Sequence, residues 1–149
     1  MRNFAFKLEK LLEIRGYAEK QKVLELAEVT GRYMQIVSSI EDLKNRKRKI
    51  MESRFEAAGN NVYSIMYDES LISAIDVKVM DFEKKLIPLN IEKENKRLEY
   101  LEALKNKRVL EKLREKKAEM HKKSELIRGS KAIDDIVSSN FIKLQEVKI

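Results

Sequence analysis

Few residues of this chain have the type and spacing that chemistry requires. His121 is the only histidine and cysteine is absent, so a metal site lacks ligands of the usual kind. The acidic pair Asp134 and Asp135 falls at a predicted helix start, where carboxylates interact well with the helix dipole. No Gly-rich phosphate loop and no nucleophile motif occurs. We therefore expect a protein without catalytic residues, metal or cofactor, with His121 as a solvated surface side chain.

Two basic runs are more informative than these isolated groups. One spans residues 44–49, and the other spans 105–123, with nine Lys or Arg against three Glu in a chain of net charge +7. Some of this charge is paired along the helix, as for Glu119 and Lys123, but the surplus remains. Such a surface suits an acidic protein partner. Nucleic acid is the alternative, although no base-reading module is present and Lys47 falls on the helix-packing phase.

The elements that position these residues are two long helices. The chain has only 4 Gly and 1 Pro, and 38% of its residues are charged, which favours helix over a thick globular core. A first helix is predicted over residues 4–58. Its apolar positions alternate three and four residues apart, as in a coiled coil, at Leu26, Val29, Tyr33, Ile36, Ile40, Leu43, Lys47, Ile50, Arg54 and Ala57.

A second helix is predicted over residues 69–128, with Asp68 as its N-cap. Its packing positions are Ile72, Ile75, Val79, Phe82, Leu86 and Leu89, followed after Pro88 by Ile91, Leu98, Leu101 and Leu104. A kink rather than a break is expected at Pro88, because the periodicity resumes. Gly129 is expected to end this helix, and a short C-terminal helix is predicted over residues 131–143.

The two long helices match in length and are joined by a predicted loop over residues 59–67, which favours antiparallel packing. The sequence thus predicts an all-α fold: a single domain, 1–149, built as a long antiparallel two-helix coiled coil with a short C-terminal helix. No run of 18 apolar residues and no secretory signal is evident, so a soluble, cytoplasmic protein is expected.

Three segments resemble one known family. Residues 4–15 (FAFKLEKLLEIR) are similar to the opening of the bacterial flagellar export protein family FliJ, and Glu19 and Leu26-Ala27 match its next features. Residues 108–117 (RVLEKLREKK) and 132–141 (AIDDIVSSNF) resemble its later segments. The virulence-type secretion counterpart of FliJ is the nearest alternative family, and a basic structural or nucleic-acid-binding coiled coil is the other alternative.

The resemblance implies a non-enzymatic component of the flagellar type III export apparatus. Its terminal end would enter the ring of the hexameric export ATPase as a central stalk and promote ring assembly and activity. Its loop end would contact the cytoplasmic domain of the membrane export-gate protein, and it would bind export chaperones. It would lie in the cytoplasm, peripherally on the inner face of the membrane at the flagellar base.

The resemblance also suggests which residues make these contacts. Arg15, Arg108, Arg114 and Lys117 are predicted at the ATPase end by placement and charge. Leu71, Ile75 and Phe82 occupy the family's gate-binding places. Ile75 and Phe82 also lie on the packing phase, so burial is the alternative for both, whereas Leu71 lies one residue off it and is the better candidate for an exposed contact.

Overall fold

The computed structural model describes residues 2–56 and 61–148. Two helices account for almost all of them, α1 over Glu9–Glu56 and α2 over Val62–Val147, and no strand occurs within these ranges. The prediction of an all-α fold with two long packed helices is confirmed. The first helix begins at Glu9 rather than near residue 4, and its predicted end at Ala58 lies outside the described residues.

The packing positions predicted for α1 face α2. Each predicted position from Leu26 to Arg54 is buried or half-buried, and Val29 is only 2% exposed. Ala57, the last predicted position, lies outside the described residues. Because side chains three and four residues apart lie on the same helix face, this regular alternation gives α1 one continuous packing stripe, apolar except at Lys47 and Arg54, which we call the α1 seam.

The chain forms two compact units, and both helices contribute to each. The middle unit is Ala18–Ala103, and the terminal unit combines Met1–Tyr17 with Leu104–Ile149. In the middle unit, Lys22 pairs with Glu99, Arg32 with Glu92, Lys47 with Asp76 and Arg54 with Glu69. Partner numbers fall along α2 as they rise along α1, so the helices run antiparallel there, as predicted.

The start of α2 differs from the prediction. The helix begins at Val62, so residues 62–67 are helical rather than part of a loop. The cap is Asn61, whose side-chain oxygen accepts the backbone N–H of Ser64 at 2.9 Å, as an N-cap residue does for the third helical amide. Asp68 instead lies on the packing side, with its carboxylate 4.0 Å from Arg54. Residues 59 and 60 of the predicted loop lie outside the described residues.

The helix α2 continues through Pro88, as expected, but its packing side beyond that point differs from the prediction. The spacing that begins at Ile72 continues without a phase change through Lys93, Lys96, Tyr100 and Ala103, which are all half-buried. Leu104, a predicted packing position, is half-buried as well. Ile91, Leu98 and Leu101 are exposed instead. The prediction from the hydrophobicity pattern is wrong here because the helix keeps its register through the proline. These apolar residues therefore lie on another face of α2.

The predicted break at Gly129 and the separate C-terminal helix are not found. The helix α2 runs on to Val147. Gly129 has no left-handed backbone conformation, which a glycine C-cap would need, and nothing lies within 4 Å of a Cβ built on it. A glycine inside a helix costs about 1 kcal/mol relative to alanine, and the strong helix formers on both sides of Gly129 outweigh it.

Candidate protein-binding surfaces

Lysines at packing positions of the middle unit are held by a network of four ion pairs. Lys22 lies 3.0 Å from Glu99 and 3.2 Å from Glu25, and Lys96 lies 3.0 Å from Glu25 and 3.4 Å from Glu99. The hydrogen bond from Lys96 lowers the pKa of Glu25, and the one from Lys22 lowers the pKa of Glu99. The two lysine pKa values are raised by the same bonds.

Lys93, another packing position, places its ammonium 4.2 Å from the centre of the Tyr33 ring. Lysine stems can cover apolar surface while the charge reaches an aromatic face or a carboxylate. These pairings explain how cationic side chains occupy the packing side of α2. Polar packing positions also help to fix the register of paired helices.

The four basic residues predicted for ATPase binding are all exposed in the terminal unit. Arg114 forms an ion pair with Glu9 at 3.4 Å, across the two helices of that unit. Six residues separate Arg108 from Arg114, which places them about 120° apart around α2. The four therefore do not form one cluster. The structure distributes the positive charge around the helix instead of concentrating it on one face.

His121 is half-buried rather than fully solvated. Its ring lies against that of Phe4, with centroids 5.6 Å apart and planes inclined at 54°. This tilted arrangement is a favourable aromatic geometry. It fastens the segment before α1 to α2 within the terminal unit. The contact gives His121 a packing role that its charged sequence neighbours did not indicate.

The last part of α2 is a helix without a packed partner among the described residues. Every residue from Leu126 to Lys148 is exposed. Even so, large apolar side chains recur with three-and-four spacing at Leu126, Ile133, Val137, Leu144 and Val147, with Ser130 and Asn140 at the intervening positions. We call these apolar residues the tail stripe. A stripe of this kind is typical of a helix that packs against another protein.

The residues predicted for gate binding have unequal exposure. Ile75 is 7% exposed and belongs to the core of the middle unit, whereas Leu71 and Phe82 are half-buried. Phe82 lines a groove of about 450 Å³ between the helices, together with Leu43 and charged residues that include Lys85. The Lys85 ammonium lies 5.5 Å from the ring centre. Leu71 and Phe82 therefore remain accessible in part, and Ile75 does not.

The first turns of α2 contain exposed residues that the sequence analysis missed. They are Val62, Tyr63, Ile65, Met66 and Tyr67, and Tyr63 is 81% exposed. They were missed because this segment was read as loop. The signal that could have found them is Asn61, a good N-cap residue, followed by apolar residues in phase with Ile72. We call these five residues the entry cluster.

No group of three or more His, Cys, Asp or Glu side chains in the described ranges is placed to hold a metal ion. No helix in those ranges is long and apolar enough to cross a membrane. The surfaces with distinctive character are thus apolar stripes and basic faces on helices.

These features define a basic, coiled-coil-like α-helical protein with exposed apolar surfaces of the kind that bind other proteins. The sequence profile of one family, Flagellar FliJ protein, matches residues 4–146, so the chain belongs to the FliJ family and has a role related to flagellar export. No curated protein and no solved structure gives a significant match.

Proposed function

We propose that this chain binds the hexameric flagellar export ATPase as a central stalk, promotes ring assembly and activity, and links the ring to the export gate and export chaperones. It acts without catalytic residues or cofactors, and at the inner face of the membrane. Family membership supports the export role. The partners are argued from the exposed surfaces of each unit.

The observation that carries the ATPase contact is the tail stripe. Its five residues are between 61% and 84% exposed, although they have the spacing of a buried helix face. Leaving such a stripe in water is unfavourable, so a partner that covers it gains hydrophobic free energy. The positive charge of residues 105–123, which precede the tail stripe on α2, would speed association with an acidic partner.

The ATPase contact is tested with purified chain and the export ATPase of the same organism. Wild type raises ATP hydrolysis and ring formation. Val137→Asp in the tail stripe weakens binding at least about ten-fold, because it places a charge in an apolar contact. Ser139→Asp is the matched control, since it adds the same carboxylate about 160° around the helix.

Two results would reject the ATPase contact. One is the absence of binding and stimulation by the wild type at low salt, where basic surfaces attract most strongly. The other is equal loss of stimulation by Val137→Asp and Ser139→Asp. A gel-shift titration with nucleic acid tests the alternative, because phosphate binding weakens steeply as salt rises.

For the export gate, we place the contact at the entry cluster together with Leu71 and Phe82. The entry cluster has the exposure that Ile75 lacks. Tyrosine and methionine side chains are common anchors at protein interfaces. Tyr63→Asp should reduce capture of the gate's cytoplasmic domain, whereas Ser139→Asp, at an exposed serine of the terminal unit, should not.

A further inference from the structure

A second apolar stripe lies on α2 in the middle unit, away from the packing side. Its members are 42% to 65% exposed: Val77, Met80, Ile87, Ile91, Leu98 and Leu101. Lys84 and Glu94 fill the two remaining positions, so the eight residues alternate three and four apart without interruption. We call these eight residues the back stripe.

The back stripe keeps a constant position relative to the packing side of α2. Both patterns repeat every seven residues, and Met80 and Ile87 each follow a packing residue, Val79 and Leu86, by one position. Two patterns of equal period hold the same angle along a helix. The helix α1 thus packs on one stripe, and no described residue of the chain covers the back stripe. It covers 25 residues, or roughly 36 Å of helix.

The order of residues in the back stripe is symmetric about position 89. Four pairs of stripe residues lie at equal distances on either side of that point: Ile87 and Ile91, Lys84 and Glu94, Met80 and Leu98, and Val77 and Leu101. A second copy of the stripe running antiparallel would place apolar opposite apolar in three of these pairs. In the fourth pair it would place the ammonium of Lys84 opposite the carboxylate of Glu94. A two-fold axis would repeat each contact once.

A pair of opposite charges beside the stripe is centred one residue further along, at position 90. Glu83 and Arg97 flank it on one side, and in the antiparallel arrangement each faces the other residue of the second copy. In its own chain Arg97 lies 2.6 Å from Glu94, which holds the guanidinium beside the stripe. Within the described residues, neither Lys84 nor Glu83 forms an ion pair. Flanking charges of this kind set the orientation and partner of paired helices.

We propose that the back stripe is a self-association surface, on which a second copy of this chain packs antiparallel with its own back stripe. We assign a second copy as the partner because the apolar residues are arranged symmetrically and the charges are complementary in the antiparallel pair. A second copy supplies the complementary pattern without any further protein. More than three heptads of apolar spacing are enough to indicate a coiled-coil contact.

Sedimentation velocity of the full chain over a range of concentrations tests the dimer. Wild type, of 17.5 kDa, should convert to a species of twice that mass as concentration rises. Ile91→Asp should remain monomeric, because it places charges near the two-fold axis. Met34→Asp, at an exposed methionine of α1, should dimerise as wild type does. A wild type that stays monomeric at its highest soluble concentration overturns the proposal, as does equal behaviour of the two variants.

Charge reversal tests the antiparallel pairing itself. Lys84→Glu and Glu94→Lys should each weaken self-association at least about ten-fold, because each creates two like-charge pairs by symmetry. Mixing the two variants in equal amounts should restore the dimer, since both pairs in the mixed species again join opposite charges. Circular dichroism checks that each variant is helical. Failure of the mixture to dimerise overturns the antiparallel assignment.

A photo-crosslinking side chain in place of Ile91 identifies the occupant in cells. An adduct of twice the chain mass supports self-association. An adduct of another mass assigns the back stripe to a different protein and overturns the proposal.

Discussion

The middle unit and the terminal unit contain similar heptad patterns but bury them very differently. Among the described residues, five apolar side chains are buried, and Val29, Ile40, Ile72 and Ile75 belong to the middle unit. Leu12 is the only member from the terminal unit. Most cross-helix ion pairs, including the network of Lys22 and Lys96, also lie in the middle unit.

The difference follows from how much of each helix the two units contain. In the middle unit, 18–56 of α1 faces a similar length of α2, whereas the terminal unit has only Glu9–Tyr17 of α1. Among the described residues, no second helix covers a long part of α2 there. The tail stripe is therefore patterned like a buried helix face and yet exposed. The comparison shows that a heptad pattern indicates a contact without saying which chain supplies it.

The largest expected effect is the loss of a buried side chain in the middle unit. Ile40→Asp should lower the free energy of unfolding by about 2–5 kcal/mol, because it creates a cavity and buries a charge. Met34→Asp, at an exposed site of the same helix, should change it by no more than about 0.5 kcal/mol. Urea denaturation measures both. Similar values for the two variants would contradict the packing of the α1 seam.

A smaller effect is expected from acid. The folded-state pKa values of Glu25 and Glu99 lie below their usual value of 4.5. Their contribution to stability is therefore present above pH 4.5 and is lost as pH falls through the lowered folded-state values. Glu25→Gln with Glu99→Gln removes this term, so the double variant should lose less stability than wild type on acidification.

The pH dependence is measured by thermal unfolding at a series of pH values. Asp134→Asn with Asp135→Asn is the control in the terminal unit, where these carboxylates are exposed. This control should follow the wild-type pH profile. A profile for the Glu25 and Glu99 double variant as steep as that of wild type would show that the network contributes nothing measurable.

The smallest effect is expected from a substitution that changes helix propensity but not packing. Gly129→Ala should stabilise the tail helix by up to about 1 kcal/mol, because no side chain blocks a Cβ there and the backbone is not left-handed. Hydrogen exchange of amides 130–147 should slow. Gly31→Ala, also in open space but in the middle unit, should leave exchange of those amides unchanged. Unaltered exchange in Gly129→Ala would mean that the tail is held by something other than its own backbone.

The sequence predicted the α1 seam almost residue by residue because three-and-four spacing leaves little freedom in a long helix. It failed at three places on α2. Asn61 competes with Asp68 as a cap, and both are good caps by residue type. At Pro88 the apolar residues change face while the helix register does not. Gly129 resembles a helix end, yet the left-handed conformation that would make it one depends on the backbone.

The candidate surfaces were predicted less completely. The basic residues Arg15, Arg108, Arg114 and Lys117 are exposed as expected, but sequence spacing did not show that they lie on different faces. Leu71 and Phe82 are accessible in part, whereas Ile75 is buried. Three residues of the back stripe, Ile91, Leu98 and Leu101, were predicted to be packing positions because an apolar heptad looks the same whether it faces its own chain or another.

Composition and periodicity alone determined the helical class and the α1 seam, because local spacing fixes which residues share a helix face. Only the tertiary structure decided which apolar stripes of α2 are covered. That outcome depends on where α1 lies, and α1 covers one side of α2 over part of its length. The stripes that remain uncovered, at the tail and on the back of α2, are where further proteins or a second copy would bind.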